Sequence, residues 1–164
     1  MHGIDLGPWA RVTGSWIVQE KFDGWRAFWD GEKLVSRQGV PFDAPAWFLA
    51  GLPSGLPLDC ELFLGYGRRD KLNGCAFNAE SPIWNSIRQL VFDSPTTPGG
   101  YASRHAAAAS AIVGTHAEMI SFSTLAENPP DLASLKAEGG EGYMLRYPHA
   151  PYRAGRSQHL LKLK

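Results

Sequence analysis

The chain reads as an α+β protein of mainly antiparallel sheets flanked by helices, with a cleft between the sheets. Three observations predict this. Short runs of alternating or continuous apolar residues recur along the sequence, each bounded by Gly, Pro, Asn or Asp. Helical patterns are few. The strands and helices do not alternate as they would in a parallel βαβ sheet. At 164 residues the chain forms one domain, 1–164, long enough to bury a core.

Residues 1–14 hold three glycines and a proline and lack periodicity, which suits a surface lead-in. Ser15 to Gln19 is an apolar strand entering a sheet. Gly24 permits a turn, and Trp25 to Asp30 is the returning strand. Lys33 to Ser36 is a third short strand, ending at the polar turn Ser36-Arg37-Gln38-Gly39. Ala46 to Leu52 suggests a helical turn before the proline-rich link Pro53 to Pro57. Leu58 to Leu64 alternates, with Asp59 and Glu61 on one face and Leu58, Cys60 and Leu62 on the other.

Gly65 to Ser81 reads as a mobile basic connection carrying Arg68, Arg69 and Lys71. Arg88 to Asp93 is the next strand, stopped by Ser94-Pro95. Tyr101 to Val113 is alanine-rich and helical by propensity. Ala117 to Ser123 suggests a strand, and Pro129 to Glu138 a helix with proline at its start and Gly-Gly at its end. Glu141 to Arg146 is a strand, followed by a loop through Tyr147 to Ser157. In the closing run His159 to Lys164, Lys162 and Lys164 alternate with leucines and point to one side.

Sixteen Lys and Arg balance sixteen Asp and Glu, so a polyanionic partner would have to use a local basic face. Six tryptophans, five tyrosines and eight phenylalanines supply stacking surface. Cys60 and Cys75 fit neither a disulfide framework nor paired metal spacing, and read as reduced, buried thiols. No run is long and apolar enough to span a membrane, and the start lacks a signal-peptide layout. The expected setting is soluble and cytoplasmic, or periplasmic if a signal peptide was removed.

Chemistry concentrates at Glu20-Lys21-Phe22-Asp23-Gly24-Trp25-Arg26. Lys21 stands at a strand end beside a hairpin, with Asp23 and Arg26 close by. Desolvation by aromatic walls and a nearby cation both favour a neutral amine, which is a nucleophile. Taken alone, the same pattern also describes an exposed hairpin lysine paired with an aspartate.

Six segments in order change that balance. Lys21 to Arg26, Ser36 to Gly39, Leu58 to Glu61, Leu90 to Asp93, Glu141 to Arg146 and Leu161 to Lys164 resemble the motif series of the covalent nucleotidyltransferase family. Within it the chain is similar to ATP-dependent DNA ligases of the small bacterial and phage type, over nearly its whole length from about Trp16 onward. The resemblance implies a ligase nucleotidyltransferase fold, akin to ATP-grasp. Such ligases continue into an OB-fold domain, which is expected to be absent from this chain because the sequence stops at Lys164.

The resemblance further implies that Lys21 attacks the α-phosphate of ATP. Lys162 and Lys164 would meet that phosphate, and Asp23 and Arg26 ribose or phosphate. Glu141 would hold mainly the divalent metal, Mg²⁺ or Mn²⁺, and Glu61 the ribose or metal. Phe92 would stack on adenine and Met144 close its other face, unless both are ordinary core residues. Glu20 would accept from the exocyclic amine. Arg37, and more loosely Arg68 and Arg69, would meet the backbone of nicked double-stranded DNA, plain solvation being the alternative for the last two. A monomer is expected. An RNA ligase, an mRNA-capping guanylyltransferase and a non-catalytic nucleotide or nucleic-acid binding module are the other readings.

Overall fold

Val, Ile, Trp and Phe crowd the strand segments, and such side chains pack well on a pleated surface. The computed structural model describes residues 1–5, 12, 14–126 and 130–164. Among the described residues the ten strands are β1 (His2–Asp5), β2 (Ile17–Lys21), β3 (Trp25–Trp29), β4 (Leu34–Ser36), β5 (Leu58–Phe63), β6 (Arg88–Asp93), β7 (Glu118–Met119), β8 (Ser123–Thr124), β9 (Gly142–Arg146) and β10 (Arg156–Leu163). Three α-helices accompany them: α1 (Ala46–Leu49), α2 (Tyr101–Ala111) and α3 (Leu132–Ala137).

The strands form two five-stranded sheets. One runs β1-β10-β9-β2-β8 and the other β4-β3-β5-β6-β7. Pairing is antiparallel except for β1 with β10 and β6 with β7. The expected mixed architecture with antiparallel sheets holds.

Phe48 and Trp84 fill the larger core, beneath the second sheet, packed edge to face with centroids 4.8 Å apart. Ala27, Leu58, Cys60 and Val91 are fully buried beside them. Truncating either large ring costs about 3–5 kcal/mol in such a setting. A smaller core under the first sheet joins Val18, Leu125, Leu145 and Leu163.

Several expectations change. His2–Asp5 pairs in parallel with β10, so it is part of a sheet and not a surface lead-in. Gly65 to Ser81, read as a mobile basic connection, contains a 3-10 helix, Arg69–Gly74, that buries Leu72 against the larger core together with Cys75 and Ala76. The run Ala117 to Ser123 splits between the two sheets as β7 and β8. Asp131 caps α3, its side chain accepting from the Ser134 amide at 3.0 Å. The expected start of that helix at Pro129 lies outside the described residues. Among the described residues, no helix is long and apolar enough to cross a membrane.

Candidate active site

Between the sheets lies a cavity of about 350 Å³, lined from both sides. Strand alternation along β2 sets Gln19 and Lys21 on one face and Glu20 on the other. The chain then turns at Gly24. A Cβ there would stand 2.1 Å from the Leu62 carbonyl oxygen, so only glycine lets β3 enter its pairing with β5. The Gly24 amide donates to Glu61 Oε1 at 3.1 Å, tying the turn after Lys21 to β5.

Lys21 Nζ is ion-paired with Glu141, whose other oxygen takes Lys164 Nζ at 2.6 Å. One carboxylate therefore stands between two ammoniums. Burial would push the Glu141 carboxyl up, but hydrogen bonds from Lys164 and Lys21, with their charge, hold it below its ordinary value. Lys162 is drawn to Asp5 on β1 at 3.1 Å and lines the same cavity. The charged group that Lys21 touches is an anion, the Glu141 carboxylate.

Burial pushes Glu61 up to about 7, against the pull of Lys21 and Arg26. A carboxyl raised in the fold adds stability below its ordinary range and loses it as pH climbs through about 7. Wild-type protein is thus expected to lose about 3 kcal/mol between pH 5 and 8 that Glu61→Gln does not, read by urea unfolding at both pH values. Parallel pH slopes for the two proteins would remove Glu61 as the cause.

Arg26 clasps Asp59 through two hydrogen bonds, one from Nε at 2.6 Å, and Tyr152 donates to the same carboxylate at 2.7 Å. Positive charge thus lies beside both acidic residues of β5. Phe92 lines the cavity with two guanidiniums near its ring, Arg26 at 5.0 Å and Arg146 at 5.4 Å from the centroid. Met144 lines it too.

Glu20, Asp23, Arg37 and Arg69 line the cavity as well. Glu20 accepts a hydrogen bond from Tyr66 at 2.7 Å, and burial, helped by that bond, pushes the phenol up to about 12. Asp23 pairs with Arg69 at 3.7 Å. Arg37 and Arg69 border both this cavity and an adjoining open groove of about 620 Å³. Arg68 is exposed and lines neither.

The sequence reading passed over Gln19, Ile120 and Arg146, which also line the cavity. Gln19 had one available signal: it stands two residues before Lys21 on a strand, hence on the same face. Beneath them, fully buried Asp93 accepts from Arg104 Nε at 2.7 Å and from Arg146 at 3.3 Å.

Among the described residues no cluster of three or more His, Cys, Asp or Glu side chains could cage a metal ion. Glu61 and Glu141 are two hard-oxygen donors facing one cavity. That set fits a magnesium-like cation that takes its remaining ligands from phosphates and water.

No protein-family model matches the chain. It is 30% identical to the DNA ligase of Haemophilus influenzae over 155 residues, which are 91% of this chain and 58% of that protein. The chain therefore spans less than two thirds of that relative's length. A solved Lig E DNA ligase, described for DNA binding with a minimal scaffold, superposes with a TM-score of 0.85 at 30% identity. That match covers 100% of this chain and 69% of the Lig E chain. Chlorella virus DNA ligase-adenylate superposes at 0.80 with 20% identity, over 99% of this chain and 66% of its own, a likeness of fold. With Lys21 sharing one cavity with two glutamates and two lysines, and with these relatives, the chain belongs to the DNA ligase family and folds as its nucleotidyltransferase domain.

Proposed function

We propose that this domain takes AMP from ATP onto Lys21, passes it to the 5′-phosphate at a DNA nick, and lets the 3′-hydroxyl displace it to seal the strand. The observation that carries the reading is the Lys21 amine in one cavity with Glu61, Glu141, Lys162 and Lys164. Lys21 sheds a proton before attack, and Glu141 is the carboxylate within reach of it. The amine nitrogen then bonds to the α-phosphorus as the bond to pyrophosphate breaks. A phosphate entering between Lys21 and Lys164 exchanges one anionic partner, the Glu141 carboxylate, for another.

Lys162, on the same strand, adds a second cation for the phosphates. Asp23 and Arg26 serve ribose or phosphate, Phe92 stacks on the base, and Met144 closes its other face. Glu61 and Glu141 would hold a divalent cation, magnesium by oxygen preference, which when bound offsets the phosphate charge. Arg37 and Arg69, at the mouth of the groove, suit the backbone of nicked duplex DNA, to which phosphate contacts give affinity without sequence preference. We place the acting unit as a monomer in the cytoplasm, in keeping with two free, buried thiols.

The test is incubation with α-labelled ATP and Mg²⁺, in parallel with labelled GTP and NAD, followed by denaturation and peptide mapping. The expected result is AMP held on the peptide containing Lys21, from ATP alone, and its transfer to nicked DNA. Label from GTP in preference would favour a capping enzyme. Transfer only to an RNA acceptor would favour an RNA ligase, and absence of label from every donor a binding module.

A further inference from the structure

Strand β1 lies outside every segment that carries the site's motifs, yet one of its side chains reaches a cavity lysine. β1 pairs in parallel with β10, Gly3 standing opposite Ser157 and Ile4 opposite Leu161. The register therefore slips between Gly3 and Ile4. Without the slip Asp5 would stand opposite His159; with it, Asp5 stands opposite Lys162. Partners in register project to the same face of a sheet, and the Asp5 carboxylate lies 3.1 Å from Lys162 Nζ.

The stem of the lysine is guided as well. A Cβ on Gly3 would stand 2.8 Å from Lys162 Cγ and 2.9 Å from Met144 Cε, so the stem crosses bare backbone. The two ends of the pair differ in setting. Lys162 is 25% exposed and lines the cavity, whereas Asp5 is 77% exposed and lies outside the lining. A hydrogen bond and charge from Lys162, with the charges of Lys164 and Arg156, hold the Asp5 carboxyl below its ordinary value. It is anionic at neutral pH. So exposed an ion pair adds little to the stability of the fold. Its effect falls on the lysine, because a phosphate that takes Lys162 must displace a carboxylate already paired with it.

We propose that Asp5 is a positioning residue that competes with the nucleotide's phosphates for Lys162 and so sets how tightly the cavity holds ATP. The proposal rests on the nucleotidyltransferase reading above. A triphosphate carries more negative charge than a carboxylate, so it wins the lysine, but it binds less tightly than it would without the competitor. Asp5 also repels the incoming anion through solvent, an effect that salt screens. Glu141 stands in the corresponding place for Lys21 and Lys164, but from within the cavity. Asp5 is set at the rim by a strand that no motif marks, and it acts on binding.

Calorimetry with α,β-methylene-ATP and Mg²⁺ reads the affinity, since Lys21 cannot cleave the bridge of this analogue. At about 50 mM salt, Asp5→Asn is expected to bind about 3- to 10-fold more tightly than wild type, with Asp5→Glu within about 2-fold of wild type. At about 500 mM salt the gain should shrink to about 2-fold or less. In a Lys162→Met background, Asp5→Asn should likewise change the affinity by about 2-fold or less. With ATP itself, the KM for labelling of Lys21 should fall in Asp5→Asn while the rate at saturation stays within about 2-fold. Affinity in Asp5→Asn equal to or weaker than that of wild type overturns the proposal, as does a gain undiminished by Lys162→Met. The comparison of Asp5→Asn with wild type decides the matter even if the lysine variant does not fold. Wild-type protein that takes no label from ATP instead sinks the nucleotidyltransferase reading.

Discussion

Lys21→Ala is expected to abolish covalent labelling from ATP, a loss of at least about a thousandfold, while leaving the fold in place. In the proposed mechanism the amine nitrogen bonds to phosphorus, so its removal leaves no lesser route to the same adduct. The structural cost is small for two reasons. Glu141 keeps Lys164 as a partner, and the Lys21–Glu141 pair is partly solvent-exposed, a setting in which ion pairs contribute about 1 kcal/mol or less. Lys21→Arg sharpens the test. A guanidinium preserves the charge facing Glu141 but stays protonated, so it should label no better than alanine. Label surviving in either variant, with thermal unfolding unchanged, would move the nucleophile elsewhere.

Asp93→Ala should do the opposite: it should unfold the protein far more readily. Its carboxylate is fully buried and accepts from two guanidiniums, Arg104 and Arg146, which are themselves buried. Deleting it strands two cations in a low-dielectric interior, at a cost of about 3–5 kcal/mol. For a domain of this size that corresponds to a drop of about 10 °C or more in Tm. Calorimetry or urea unfolding measures it, and Asp93→Asn, which keeps an acceptor oxygen, should fall between. A change below about 1 kcal/mol in Asp93→Ala would show that water or a neighbouring carboxylate already compensates these arginines.

The strands that carry the site were legible because period and residue type agreed locally. Arg88–Asp93 was placed at both ends and Gly142–Arg146 nearly so, whereas the lysine-bearing last strand begins at Arg156, inside the stretch read as a loop to Ser157. What escaped were features decided by distant partners. His2–Asp5 becomes a strand only because β10 lies alongside it. Ala117 to Ser123 looks continuous in sequence, yet the segment leaves one sheet and joins the other. Leu72, Cys75 and Ala76 lie among polar residues too irregularly spaced to announce a buried turn.

The site divides the same way. Lys21, Glu61, Glu141, Lys162 and Lys164 are charged residues within short motifs, and the fold brings them to one cavity. Gln19 is a neutral residue within an apolar strand, and the Ile120 carbonyl has no side-chain signature at all.

The order of the strands bears on how the protein is made. Strands β3 to β6 follow one another in sequence, so their sheet can assemble while the ribosome is still at work. The strand bearing Lys21 must instead await β9, whose partner glutamate comes 120 residues later, with β10 beyond it. The cavity is therefore complete only once β10 has been made, and a nascent chain halted before that strand would possess a folded half and no finished site.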